Sequence, residues 1–98
     1  MLFRSLVLDV ANPHDKRARE LMDALQVALT NLQGLEDPRD RTMAAVEFLS
    51  KLRTAKAELQ GFRERLRRRE ADESQLVYFL EETDRYEVQV KRQYLESA

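Results

Sequence analysis

Between residues 45 and 66, apolar side chains stand at Ala45, Phe48, Leu52, Ala55, Leu59, Phe62 and Leu66, three and four residues apart in strict alternation. This is a heptad seam, the narrow stripe that one helix presses against another. A helix of this kind draws most of its stability from packing rather than from its own hydrogen bonds. The rest of the chain must therefore supply partners for the stripe, and the expected fold class is all-α.

The preceding segment offers the first partner. Asn12-Pro13-His14-Asp15 reads as a helix start. Asn12 is a capping side chain, Pro13 suits the first helical position, and Asp15 sets a carboxylate at the positive end of the helix dipole. The first predicted helix, 12–34 with its caps, carries a seam of Ala18, Leu21, Leu25, Ala28 and Leu32, widened on one flank by Met22 and Leu29. Gly34 is expected to end it in the left-handed conformation. Asp37-Pro38-Arg39-Asp40 then repeats the starting chemistry, which places a second helix over 37–70. So short a connection makes the two helices an antiparallel hairpin. At 1.5 Å per residue the second helix is roughly 50 Å long and the first roughly 30 Å, so the second overhangs. Gly61, inside the second helix, costs about 1 kcal/mol relative to Ala and reads as a point of close approach, a slight bend or simply tolerated sequence drift.

Residues 67–74, RRREADES, contain neither glycine nor proline. Asp72 or Ser74 is a capping candidate for a new helix, with Gln75 placed as in a capping box. The heptad nevertheless continues in register from Leu66 through Arg69, Glu73, Leu76, Leu80, Thr83, Glu87, Val90 and Tyr94. Two architectures follow. Either the chain turns near residues 71–74 and a third helix, 72–97, completes a three-helix bundle, or the second helix runs on to about Glu96 as a coiled coil of roughly 85–90 Å. Compactness favours the bundle. Along this segment Leu76, Phe79, Leu80, Tyr86, Val90 and Tyr94 share one side, while Val77, Val88 and Leu95 lie off the stripe and form a candidate partner surface.

The 98 residues suit one small domain, and so small a core gains from dimerisation. Net charge is −1, which gives no global attraction to nucleic acid or anionic membrane, and the chain has no cysteine for a disulfide, thiolate site or nucleophile. No apolar run approaches the roughly 20 residues needed to span a bilayer. Residues 1–11 form an apolar arm with Leu2, Phe3, Leu6, Val7, Leu8 and Val10. It reads as packing over one end of the bundle or docking on a partner, and it lacks the length and cleavage site of a secretory signal. The absence of cysteine suits a reducing, cytoplasmic compartment.

Four features bear on chemistry. Arg63, Arg67, Arg68 and Arg69, with Arg65, are candidate phosphate contacts. The competing reading is a solvated face whose arginines pair with Glu81, Glu82, Asp84 and Glu87 of the following helix. Glu70-x-x-Glu73 and Glu81-x-x-Asp84 resemble the E-x-x-E and E-x-x-D pieces of all-helical, magnesium-dependent nucleotide pyrophosphohydrolases of the MazG type. Only seven residues separate the two pieces, too few to finish a helix, turn and bring them face to face, so no residue is taken as a ligand. His14 has no second imidazole to share a metal. Tyr78, Tyr86 and Tyr94 recur every eight residues and read as core and interface side chains.

The functional expectation is a non-enzymatic protein–protein interaction module, self-associating as a dimer or meeting another protein, with no cofactor. Its packing residues are Leu21, Leu25, Leu32, Phe48, Leu52, Leu59, Phe62, Leu66, Leu76, Leu80, Val90 and Tyr94. A nucleic-acid-associated helical dimer using residues 63–69 is the alternative, and the pyrophosphohydrolase-like enzyme comes third.

Overall fold

Capping chemistry fixes where the second helix begins. In the computed structural model the described residues are 13–96, with side chains from Asp15 onward, so the apolar arm and the His14 side chain lie outside them. Helix α1 is Pro13–Gln33, α2 is Pro38–Arg68 and α3 is Ser74–Val90, followed by a π-helical turn over Lys91–Leu95. No strand occurs among the described residues. At the start of α2, the Asp37 carboxylate accepts the Arg39 N–H at 2.8 Å, and Pro38 occupies the first turn.

The chain turns after α2, so in this fold α2 and α3 are separate helices and not one continuous helix. The longest dimension is 52 Å, close to the roughly 46 Å of α2 alone. A radius of gyration of 16.1 Å, against about 12 Å for a sphere-like domain of this size, reflects that elongation. Arg17 of α1 meets Glu58 of α2, and Lys56 of α2 meets Asp84 of α3, so α2 runs antiparallel to both neighbours. Gln26 of α1 reaches Tyr86 of α3, which sets those two helices parallel. The result is an up-down-up three-helix bundle.

The core follows the seams. All seven stripe residues of α2 are buried, with Ala45 and Leu59 fully enclosed. From α3, Leu76, Phe79, Leu80, Thr83 and Val90 join them. The Thr83 hydroxyl, fully buried, donates to the Leu80 carbonyl of its own helix at 2.7 Å and leaves no orphaned donor. The α1 stripe is displaced from its expected line. Ala18, Met22, Leu25, Leu29 and Leu32 are buried, whereas Leu21 and Ala28 are half-buried at the edge. The reason is that α1 packs against two helices and not one. The best line toward both lies on the Met22–Leu29 flank.

Two glycine readings change. Gly34 ends α1 without a left-handed backbone, its N–H shared between the Thr30 and Asn31 carbonyls at 3.1 and 3.2 Å. The Arg41 guanidinium accounts for the next carbonyl by donating to Leu35. At Gly61 an added Cβ would meet nothing within 4 Å, so no backbone approaches there among the described residues.

Candidate functional site

The left-handed residue is at the other corner and is not a glycine. Arg69 leaves α2 with φ −96°, and Glu70 follows at φ +53°. The Ala71 N–H then donates to the Leu66 carbonyl at 2.9 Å and the Glu70 N–H to the Arg67 carbonyl at 3.0 Å. This 6→1 and 5→2 pair is a Schellman closure, normally built on glycine because an L side chain strains the αL conformation. Asp72 stands one residue before Glu73, the N-cap of α3: its Oδ1 accepts the Ser74 N–H at 3.0 Å and the Ser74 hydroxyl at 2.7 Å. These two bonds hold the Asp72 pKa below the ordinary carboxylate range, backbone donor first.

Glu73 locks the corner across the two helices. Its carboxylate accepts from Arg63 Nε at 3.2 Å and from Arg67 Nε at 2.9 Å. Partial desolvation acts to raise its pKa, but the hydrogen bonds and charges of Arg67 and Arg63 together outweigh it and leave the group below its usual value. Both arginines therefore serve the fold. Of the four candidate phosphate contacts, only Arg68 and Arg69 remain exposed without an ion pair among the described residues, joined by Arg65. Residues 65, 67 and 68 sit in the last turn of α2, where positive charge complements the helix dipole.

The remaining carboxylates do not converge. Asp84 pairs with Lys56, Glu82 with Arg85 and Glu87 with Lys91. The expected pairing of the arginine cluster with the acidic residues of α3 is thus replaced by the single acceptor Glu73. Glu73 is held by arginines at the corner, and Asp84 lies far along α3. Among the described residues no group of three or more acidic, histidine or cysteine side chains is placed to hold a metal ion.

The proposed partner surface is redistributed. Val88 is half exposed as expected, but Val77 and Leu95 are half-buried, and Leu95 packs on the core. For Leu95 the cause is the π-helical turn, closed by the Glu96 N–H on the Lys91 carbonyl at 2.8 Å. Its wider turn advances fewer degrees per residue and swings Leu95 back toward α2, with Tyr94 half-buried beside it. Apolar side chains unforeseen in this role stand outside, Val27 on α1 and Met43 and Val46 on α2, and so does Tyr78 on α3, read from the sequence as a core or interface residue; each is at least 53% exposed. Tyr86 instead turns toward α1, its hydroxyl accepting from Gln26 at 3.4 Å. Shallow surface depressions include one along α3 and the π-helical turn, around Val88 and Arg92, and one on α1, around Val27 and Thr30. No helix among the described residues is long and apolar enough to cross a membrane.

No family model, curated protein or solved structure matches the chain.

Proposed function

We propose that this chain is a non-enzymatic protein–protein interaction module that associates with itself. The supporting observation is what remains on the surface once the bundle is complete. Sixteen apolar residues are buried in the core, yet Val27, Met43, Val46, Tyr78 and Val88 stay half or more exposed. The heptad seams that suggested association are consumed inside one chain. The closed monomer therefore meets a partner through its outer helix faces. The antiparallel pairing brings Val27, Val46 and Val88 to about the same height, one on each helix.

Sedimentation equilibrium over a wide concentration range tests this reading. A reversible dimer, weakened in the variant Val46→Glu/Val88→Glu without loss of helicity, supports it. A monomer at every concentration, together with no captured protein partner, overturns it. The second reading, a nucleic-acid-associated dimer, rests on the unpaired exposed Arg65, Arg68 and Arg69. Binding to DNA or RNA that weakens steeply with salt favours it, because phosphate contacts release counterions whereas an apolar interface barely responds to salt.

A further inference from the structure

We propose that the α2–α3 corner is a hinge through which two copies of this chain exchange their third helices. The inference rests on the self-association proposed above and gives it a second form, exchange of helices in place of contact between the outer faces of closed chains. Three observations carry it. First, the hinge is strained: Glu70 holds φ +53° in a closure that suits glycine. Second, residues 69–73 are Arg, Glu, Ala, Asp and Glu, with no glycine or proline to prevent a continuous helix. Third, the core stripe keeps heptad phase across the turn, since Leu66 is followed at the same alternation by positions 69 and 73 and then by the fully buried Leu76.

The contacts of the closed bundle also supply the geometry of the open one. Lys56 and Asp84 lie fourteen residues either side of position 70, and Arg67 and Glu73 lie three either side. Straightening the hinge turns this hairpin pairing into an antiparallel pairing of two long helices about a two-fold axis at residue 70. Every α2–α3 contact is then remade between copies: Lys56 meets the second copy's Asp84, and Arg67 its Glu73. The interface is isologous and closed, so exchange ends at a dimer and does not propagate. Short strained hinges invite this exchange. The Asp72–Ser74 cap and the Schellman closure oppose it, because both exist only in the turn. The exchanged dimer is a rod about 95 Å long, against 52 Å for the closed chain.

The full chain is refolded from denaturant at high concentration as the variant Lys56→Cys/Asp84→Cys, with and without hinge changes, and the thiols are joined by a short bis-maleimide. The native chain has no cysteine, so every crosslink reports this pair. Exchange gives covalent dimers on a denaturing gel, and small-angle scattering shows the longer rod. Glu70→Gly, which relieves strain only in the turn, weakens the dimer on the order of tenfold. Asp72→Ala, which removes the cap and favours helix, strengthens it on the order of tenfold. A dimer whose crosslinks stay within single chains overturns the exchange and leaves self-association through outer faces standing. Absence of any dimer, in the native hinge and in Asp72→Ala alike, overturns both. The native-hinge sample decides the matter even if Asp72→Ala fails to fold.

Discussion

Replacing Leu59 with alanine tests the packing that holds the bundle together. Leu59 is fully buried at the middle of the α2 seam, at the height where α1 and α3 both flank it. Removing three carbons from such a site forfeits about 2 kcal/mol of transfer free energy. A residual cavity on the order of 50 Å³, at ~24 cal/mol per Å³, adds about 1 kcal/mol. Alanine returns at most a few tenths through its better helix propensity. The expected loss is therefore about 3 kcal/mol, a large part of the roughly 5–10 kcal/mol available to a chain of this length. Urea unfolding followed by circular dichroism at 222 nm measures it. With a slope near 1–1.5 kcal/mol per M, the midpoint falls by about 2–3 M. Val46→Ala on the same helix, where the side chain is 55% exposed, is the internal control and costs under about 0.5 kcal/mol. A Leu59→Ala loss no larger than that control would refute the reasoning, because it would mean the seam does not bury its leucines. Leu59→Asp goes further and abolishes the cooperative fold, since it buries a carboxylate with no partner.

The remaining expectations concern the corner and the glycines. Glu70→Gly raises stability by about 0.5–1 kcal/mol by removing αL strain, read as a higher urea midpoint. Gly61→Ala raises it by about 1 kcal/mol, because the site is mid-helix and open; a loss would reveal a close neighbour there. Glu73 and Asp72 have folded pKa values lowered from those of the unfolded chain. Their contribution is thus fully present above the ordinary carboxylate pKa of about 4 and is lost as pH falls through the lowered folded values. Midpoints measured between pH 6 and 3 drop accordingly, and Glu73→Gln flattens the part of that drop due to the Arg63–Arg67 clamp. If the second reading holds, Arg68→Ala/Arg69→Ala lowers the salt slope of nucleic-acid binding by up to about 2, whereas an apolar interface is unmoved.

Much of the fold is a local property, legible in residue spacing alone. Heptad spacing put all seven α2 seam residues in the core, because side-chain direction repeats with the backbone whatever surrounds it, and the Asp37 cap placed the start of α2; α1 begins at Pro13 as read, with its expected Asn12 cap outside the described residues. Of the two capping candidates for α3, Asp72 and Ser74, neither is the N-cap, which is Glu73, although the Asp72 carboxylate does accept the Ser74 N–H. The outer apolar surface was less legible. Val88 stood out, but the residues around Leu95 carry no signal for the π-helical turn that draws it inward. Val27, Met43 and Val46 stand in apolar stretches beside seam residues, Val27-Ala28-Leu29 and Met43-Ala44-Ala45-Val46, so composition does not separate them from the core.

What the sequence determined by itself is the amphipathic helical character of the chain and where the first two helices begin, since periodicity and caps act over a few residues. What only the tertiary structure decided is how those helices share their faces. Two neighbours shifted the α1 stripe from Leu21 and Ala28 toward Met22 and Leu29. The bend fell on Glu70, not on a glycine: burial of Leu76, Phe79 and Val90 against α1 and α2 outweighs about 1–2 kcal/mol of αL strain. Local propensity left turn and continuous helix nearly balanced, so the choice rested with contacts distant in the chain.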